Sequence, residues 1–204
     1  FQANCPKDAT AVRLTSAQKK AFVDQHNALR SRVALGNLKG FSAANKMSEL
    51  HWDDELAYFA ELNVKQCKMA HDSCHNTLAF PYSGQNLAVL SSKPDFYEDD
   101  TAIQSSIQMW FDEYKDADMS YINKLRPHDR KKVIGHFTVM MTDRSTRIGC
   151  AMARYTQPNG WKSTLIACNY SFTNILNLPI YTVGQPCSKC SSGCSATYKG
   201  LCRS

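Results

Sequence analysis

Apolar residues in the first part of the chain recur at helical spacing. Thr15 and Gln18 have the spacing of a capping box, which closes the first turn of a helix. Gly36 stands where a left-handed glycine commonly ends a helix, so we predict a helix from about Thr15 to Gly36. Because His26 lies on the apolar face of this helix, we interpret it as a buried, hydrogen-bonded histidine. The face consists of Phe22, His26, Leu29 and Val33.

Two more helices follow from the same periodicity. One begins at Asp53, and its face carries Leu56, Phe59, Ala60, Val64 and Cys67. The other spans about 101–116, after a polar and irregular stretch at 91–100. Its apolar stripe consists of Ile103, Ile107, Trp110 and Tyr114. The first half of the chain is therefore predicted to be mainly helical.

The second half of the chain has the composition of strands. Segments 136–141, 147–155 and 163–172 are rich in β-branched and aromatic residues. Asn159-Gly160, between the last two segments, is a strong hairpin signal. Helices followed by an antiparallel meander predict an α+β layered domain over residues 1–178. Residues 179–204 are short of core side chains and dense in Cys, Ser and Gly, so we expect a small tail that depends on disulfides.

Composition narrows the class of protein. The chain has 204 residues, of which 43% are hydrophobic and 21% charged, and this suits one globular domain with a small appendage. No run of about 18 apolar residues is present, so no transmembrane segment is predicted. The first residues lack a charged and then apolar leader pattern, so we expect a mature chain.

The formal net charge is +6, which favours an anionic ligand or surface. No aromatic and basic platform accompanies this charge, so nucleic acid is not an expected partner. The densest basic run is interpreted as a solvated loop or as part of such an attractive field. It consists of Arg126, His128, Arg130, Lys131 and Lys132.

Nine cysteines indicate an oxidising compartment. They are spread along the chain, so disulfides in a secreted, extracellular protein explain them together. Cys187 and Cys190 have the spacing of a zinc knuckle, and a zinc site in the tail is the alternative. The odd count leaves at least one thiol unpaired or bonded to another chain, although we expect a monomer. Spacing alone leaves the pairing open.

Four stretches of distinctive sequence lie between about residues 15 and 175. They are His26-Asn27-x-x-Arg30; Gln66-Cys67-x-x-x-His71-Asp72-x-Cys74 with Gly84-Gln85-Asn86; Gly135-His136-Phe137-Thr138 with Ile148-Gly149-Cys150; and Cys168-Asn169-Tyr170. Together they resemble the motifs of one superfamily, that of the cysteine-rich secretory, antigen 5 and pathogenesis-related (CAP) proteins. The second stretch and the cysteine pattern of the tail resemble the insect antigen 5 proteins of saliva and venom in particular.

The resemblance implies a three-layer α-β-α sandwich and a secreted allergen of the antigen 5 type. It leaves Cys74 as the candidate free thiol, because the partner of this cysteine in the family lies in an N-terminal extension that is missing here. The disulfides that it implies are Cys5–Cys67, Cys150–Cys168, Cys187–Cys194 and Cys190–Cys202.

The family's central cleft holds two histidines and two acidic residues, and the motifs place these positions at His71, Gln85, Glu113 and His136. Two imidazoles and a carboxylate can hold a divalent metal such as zinc, and metal-bound water can act as a nucleophile. Gln85, however, stands in place of a carboxylate, and an amide cannot serve as a general base. We therefore predict no catalytic residue and no required cofactor. The histidines are expected to be structural or to bind a metal weakly.

Some relatives hold fatty acids, eicosanoids or sterols, so the resemblance implies the binding of a small hydrophobic or anionic lipid. The alternative is that the same apolar faces simply pack in the core. Two other functions remain open, which are antagonism of a host extracellular protein and a weak metal-dependent hydrolase. Evidence for the first is missing from the sequence, because the chain lacks the integrin-binding Arg-Gly-Asp tripeptide of some relatives. The residues expected to contact a lipid are Phe22, Leu29, Val33, Phe96, Tyr97, Ile103, Ile107, Trp110 and Tyr114.

Overall fold

The structure, a computed structural model, describes residues 1–127 and 131–204. Two members of the predicted basic run, His128 and Arg130, lie outside the described residues. The helices are α1 (Ser16–Ala34), α2 (Asp54–Val64), α3 (Asp99–Asp112), α4 (Met119–Asn123) and α5 (Gly135–Met140), and a 3-10 turn, Glu113–Asp116, extends α3. The strands are β1 (Thr10–Val12), β2 (His51–Trp52), β3 (Gly84–Ser92), β4 (Arg147–Thr156) and β5 (Lys162–Tyr170).

The ends of α1 are set by the residues that the sequence indicates. The hydroxyl of Thr15 accepts a hydrogen bond from the backbone N–H of Gln18, and the side chain of Gln18 accepts one from the N–H of Thr15. Gly36, with φ of +75°, follows the last turn. Asp53 caps α2 by accepting a hydrogen bond of 2.8 Å from the N–H of Leu56. The first two predicted helices are confirmed, except that α2 ends at Val64 and Cys67, with φ of +52°, lies beyond it.

One sheet forms the middle layer, with the strand order β1-β4-β5-β3. The pairings along this path are antiparallel, and the short β2 pairs in parallel with β4. The predicted hairpin at Asn159-Gly160 joins β4 to β5, and Gly160 adopts φ of +80° there. β3 pairs with β5 along its whole length. The sequence pattern did not predict β3.

The strand predicted at 136–141 is wrong, because this segment falls on helix α5, Gly135–Met140, and its C-cap. The N–H groups of His136 and Phe137 donate to the carboxylate of Glu113 at 2.8 and 3.1 Å, which satisfies the first turn of α5. The hydroxyl of Thr138 donates to the carbonyl of Ile134 at 2.9 Å. Strand preference spans only about 1 kcal/mol between residue types, so contacts of this kind override it.

Helices cover both faces of the sheet. α1, α3 and α5 pack together on one face, and α2 packs on β4 and β5 on the other. The apolar core is divided in the same way, because Phe22, Ile107 and Phe137 belong to one cluster and Ala60 and Leu165 to another. The predicted α+β class and three-layer α-β-α sandwich are confirmed.

Four disulfides fasten the described chain, and they join the same pairs that the resemblance implies. Cys5–Cys67 attaches the N-terminal segment to the end of α2, and Cys150–Cys168 joins β4 to β5. Cys187–Cys194 and Cys190–Cys202 lie within the tail, so their sulfurs are not the ligands of a tail zinc site. Cys74 is a free, exposed thiol.

The tail is held against the domain by buried side chains and backbone hydrogen bonds. Ile180, Tyr181 and Leu201 belong to the larger core cluster. The N–H of Cys202 donates to the carbonyl of Met47 at 2.7 Å, and its carbonyl accepts a bond of 2.9 Å from the N–H of Glu49. The tail therefore provides fixed walls for surface clefts on this side. Among the helices in the described ranges, none is both long and apolar enough to cross a membrane.

His26 is a buried, hydrogen-bonded histidine, as predicted. Its Nδ1 lies 2.7 Å from the carbonyl oxygen of Phe22, and its Nε2 lies 2.8 Å from the hydroxyl of Tyr170. Burial lowers the pKa of His26 to about 4, so the ring is neutral at neutral pH. Nδ1 therefore donates to the carbonyl, and Nε2 accepts from Tyr170.

Candidate functional site

The predicted histidines meet in a cleft of about 390 Å³, which we call the histidine cleft. Its walls come from the loop after α2, the start of β3, the first turn of α5 and the residues after β5. Three of the four motif positions line it, whereas Glu113 lies behind His136 rather than on the surface of the cleft. The lining residues are His71, His75, Ser83, Gln85, Asn86, Val133, Gly135, His136, Val139, Thr173 and Asn174.

His136 is held by two neighbours. Its Nδ1 lies 2.5 Å from Oε1 of Glu113, and its ring stacks on Trp110 with centroids 6.2 Å apart. A carboxylate can only accept a hydrogen bond here, so Nδ1 carries the proton and the neutral ring has its lone pair on Nε2. Oε2 of Glu113 also accepts the two N–H groups at the start of α5. Glu113 thus orients the imidazole through one carboxylate oxygen and the start of α5 through the other.

His71 is oriented by an amide in a comparable way. Its Nδ1 lies 3.0 Å from Oε1 of Gln85. The amide of Gln85 cannot be reversed without losing bonds, because its Nε2 donates to Asp72 at 2.7 Å and to Asn169 at 2.9 Å. Nδ1 of His71 is therefore the protonated nitrogen, and Nε2 carries the lone pair. Gln85 is a buried positioning residue that cannot abstract a proton.

His75 is a third histidine of the cleft, and no sequence motif singled it out. Its Nδ1 lies 2.6 Å from the hydroxyl of Ser83. Burial lowers the pKa of His75, and the nearby carboxylate of Asp72 opposes this shift. Within the part of the chain that is described, however, no group of three or more His, Cys, Asp or Glu side chains is arranged to hold a metal ion. The cleft offers separate imidazole nitrogens rather than a complete ligand set.

The residues expected to contact a lipid do not form one cavity. Phe22, Val33, Ile103, Ile107 and Trp110 are at most 1% exposed and belong to the core. Leu29 and Tyr114 pack on its edge. Phe96 and Tyr97 lie elsewhere, beside Arg154 of β4. Between α1 and α3 there is a groove of about 240 Å³, and the described residues that line it are Ala17, Ala21, Asp24, Gln25, Asp100, Ile103 and Gln104.

A larger cleft, which we call the tail cleft, lies between α1, β2 and the tail. Its volume is about 640 Å³. Val23, Leu50, Trp52 and Tyr198 give it an apolar wall. Sequence reasoning missed it, because its walls are far apart in the chain. The polar residues around this wall are Ser16, Lys19, Lys20, Asp24, Glu49, His51, Ser195, Thr197 and Arg203.

The polar edge of the tail cleft is well defined. Nζ of Lys19 lies 5.3 Å from the ring centre of Trp52 and 3.0 Å from Asp54. The hydroxyl of Tyr198 donates to Asp24 at 2.6 Å. Burial, followed by this bond to Asp24, raises the pKa of Tyr198 to about 12. The phenol therefore stays protonated and remains hydrogen-bonded to the carboxylate of Asp24.

Comparison with known proteins places the chain in a family. Residues 23–170 match the family described as cysteine-rich secretory protein family, so the chain belongs to this CAP family. It is 48% identical to the antigen 5 like allergen Cul n 1 of Culicoides nubeculosus over 74% of this chain and 68% of that protein. It is 38% identical to venom allergen-1 of Aedes aegypti over 99% of this chain and 78% of that protein. The resemblance to insect antigen 5 allergens is thereby confirmed.

Solved structures share the whole fold. The crystal structure of NaASP2 with Zn²⁺ is 26% identical, with a TM-score of 0.78 over 98% of this chain and 100% of that one. The structure of BmVAL-1 is 28% identical, with a TM-score of 0.78 over 100% of this chain and 99% of that one. The disulfides and the allergen relatives are consistent with an extracellular location.

Proposed function

We propose that the protein is an extracellular antigen 5-like binding protein that sequesters a small hydrophobic anion of the fatty acid or eicosanoid type. The observation that carries this proposal is the tail cleft, which combines an apolar wall with lysines at its edge. Its volume of about 640 Å³ lies within the range of small-molecule sites, roughly 300–1,000 Å³. The groove between α1 and α3, at about 240 Å³, falls below this range.

The apolar wall supplies the affinity for an acyl chain. Each methylene removed from water contributes about 0.8 kcal/mol, so micromolar binding, about 8 kcal/mol, needs roughly ten or more methylenes buried against walls such as Trp52 and Val23. Leu50 is buried behind them and keeps the wall closed. An acyl chain needs no partner for hydrogen bonds, which suits this surface.

The edge of the tail cleft supplies the preference for an anion. Lys19 and Lys20 lie one after the other on α1, and Arg203 lies on the tail side. The two lysines are already shared with acids, because Lys19 pairs with Asp54 at 3.0 Å and Lys20 pairs with Asp24. Arg203 takes part in no ion pair within residues 1–127 and 131–204. A carboxylate head group at this edge would therefore meet the unpaired charge of Arg203 and would compete with Asp54 for Lys19.

Replacement of Trp52 by alanine tests this proposal. Trp161 is a matched control, because it is also partly exposed, also has a lysine 5.3 Å from its ring centre, and lies outside the tail cleft. We expect the wild type to bind arachidonate in isothermal titration calorimetry. Trp52→Ala should weaken binding about tenfold or more, since it removes roughly 1.5–3 kcal/mol of apolar contact, and Trp161→Ala should change it less than about twofold. Equal losses in both variants, or no wild-type binding at tens of micromolar, would refute the proposal.

A second candidate function is the weak binding of a divalent cation in the histidine cleft. It is supported by the two oriented rings, since Glu113 and Gln85 leave Nε2 as the lone-pair nitrogen of His136 and His71. NaASP2, which has a similar fold, has been crystallised with Zn²⁺. An ion held here would supply Lewis acidity, while Glu113 and Gln85 would fix the imidazoles. With Gln85 as an amide and Glu113 already bonded, we propose binding and not turnover.

Isothermal titration calorimetry with zinc tests this second candidate function, because it measures the heat of binding and requires no enzymatic activity. We expect a dissociation constant in the micromolar range or weaker, and about a tenfold loss or more in both His71→Ala and His136→Ala. His51→Ala is the control, because His51 lines the tail cleft instead. Zinc binding that survives both substitutions would show that the ion is held elsewhere.

A further inference from the structure

A second cleft on the other side of the tail is strongly basic, and we call it the basic cleft. Its volume is about 420 Å³, and its walls come from the loop before β2, the turn before β4 and the tail. Five cationic side chains line it, namely Lys46, Arg144, Arg147, Lys189 and Arg203. None of them takes part in an ion pair within residues 1–127 and 131–204. Their charges are therefore available to a ligand.

Acidic groups do little to offset this charge. Asp143 is the one acidic side chain among the described residues that line the basic cleft. It is 5% exposed, and its carboxylate accepts the N–H of Thr182 at 3.0 Å. Beneath the floor lies Arg30, which is fully buried and bonded to the carbonyl of Ser48, itself a lining residue. Asp143 lies close enough to this guanidinium to favour its charged form, so the two buried charges offset each other and the positive field comes from the five lining cations.

The remaining lining groups indicate the class of anion. Ser48, Thr146, Ser191 and Ser192 contribute hydroxyl and backbone groups that can bond to oxygen atoms. In the described part of the chain, no aromatic side chain lines this cleft, so it offers no surface for stacking a nucleobase. It also lacks the apolar wall that the tail cleft provides for an acyl chain. A sugar that carries several sulfate or phosphate groups fits this combination.

The backbone segments that carry the cations are fastened to one another, and the side chain of Arg203 is also held. The disulfide Cys190–Cys202 joins two segments of the tail, next to Lys189 and Arg203. The N–H of Lys189 donates to the carbonyl of Asn45 at 3.0 Å, which fastens it beside Lys46. Arg203 donates through Nε and Nη2 to the carbonyl of Ser192 at 3.0 and 2.7 Å. A preorganised set of charges loses little conformational entropy when it binds a polyanion.

We propose that the basic cleft is a binding site for a sulfated polysaccharide of the extracellular matrix. The four disulfides indicate an oxidising, extracellular setting, where sulfated polysaccharides rather than phosphorylated polyols are the abundant sugar polyanions. This site adjoins the tail cleft, since Arg203 lines both, but Lys46 and Lys189 line only the basic cleft. A protein anchored in this way would hold its lipid-binding cleft at the surface of a tissue.

Neutralising two lysines of the basic cleft tests the proposal. The variant is Lys46→Gln with Lys189→Gln, and the control is Lys39→Gln with Lys68→Gln, which removes the same charge from exposed lysines that do not line the cleft. We expect a heparin octasaccharide to bind the variant about tenfold or more weakly at 150 mM salt, and the control within about twofold of wild type. The slope of log affinity against log salt should fall by about two in the variant, roughly one for each cation removed.

Further ligands identify the source of the anion. Inorganic sulfate and myo-inositol hexakisphosphate should both bind more weakly than the octasaccharide. If the hexakisphosphate binds as tightly, the site is one for small phosphates and the polysaccharide proposal is overturned. If variant and control lose affinity equally, only the net charge matters and the proposal is again overturned. An unchanged far-ultraviolet circular dichroism spectrum and urea midpoint show that the variant is folded, and Trp52→Ala should leave octasaccharide binding unchanged.

Discussion

Replacement of Gly149 by alanine is expected to destabilise the protein by at least about 3 kcal/mol, at or beyond the upper end of ordinary overpacking. Gly149 lies in β4 where α2 crosses the sheet. An added Cβ would stand 2.1 Å from the backbone nitrogen of Ala57 and 2.4 Å from the carbonyl oxygen of Asp53. These are backbone atoms of the first turn of α2, so no side-chain rotation relieves the clash. The helix would have to move away from the sheet.

The measurement is urea denaturation followed by far-ultraviolet circular dichroism. Gly135→Ala is the matched control, because a Cβ at Gly135 meets no atom within 4 Å. Gly135 also lies in a helix without a positive φ, so this substitution should change the free energy of unfolding by less than about 1 kcal/mol. Similar unfolding curves for the two variants would show that α2 does not approach the sheet as closely as described.

The second large effect is expected from Arg30→Met. The guanidinium of Arg30 is fully buried and donates five hydrogen bonds to the carbonyls of four residues, which are Ser48, Met140, Thr142 and Ser145. Burial lowers the pKa of Arg30 to about 10, with Asp143 opposing the shift, so the group stays charged at neutral pH. Methionine has similar length but no donor. It would leave these carbonyls unpaired, at a cost of about 3–5 kcal/mol.

Arg32→Met is the control for this substitution, since Arg32 is exposed on the same helix. Its contacts are weak, namely a long one of 3.5 Å with the carbonyl of Asn37 and a cation–π contact of 5.8 Å with the ring of Phe111. It should change stability by less than about 1 kcal/mol. The same denaturation experiment compares the two. A loss below about 1 kcal/mol in Arg30→Met would mean that water or another donor satisfies the four carbonyls, and that the loops around the basic cleft do not depend on Arg30.

Local signals in the sequence predicted the local structure well. Thr15, Gln18 and Gly36 set the ends of α1, and Asn159-Gly160 set the hairpin, because each of these preferences is satisfied within a few residues of chain. Segment 136–141 was misjudged for the opposite reason. Its helical start depends on the carboxylate of Glu113, which lies 23 residues earlier. β3 was missed since its short apolar run, 87–90, does not distinguish a buried strand from a helix.

In the candidate sites, too, local motifs were informative, whereas contacts between distant parts of the chain were not predicted. Family motifs located His71, Gln85 and His136 at one cleft, but the motifs gave no sign that Glu113 turns its carboxylate toward backbone N–H groups. The tail cleft and the basic cleft are built from residues far apart in the chain, as in the bond between Asp24 and Tyr198, 174 positions apart. No periodicity or spacing brings such residues together. Only packing of the tail on the domain does so.

The location of a bound ligand tests most directly whether the tail cleft holds a lipid anion. Crystals grown with a terminally brominated fatty acid, at a concentration above its measured dissociation constant, would reveal the bromine by anomalous scattering. We predict a peak against the apolar wall formed by Val23, Trp52 and Tyr198, with the carboxylate toward Lys19. A peak in the groove between α1 and α3 beside Ile103, or no peak at saturation, would contradict it.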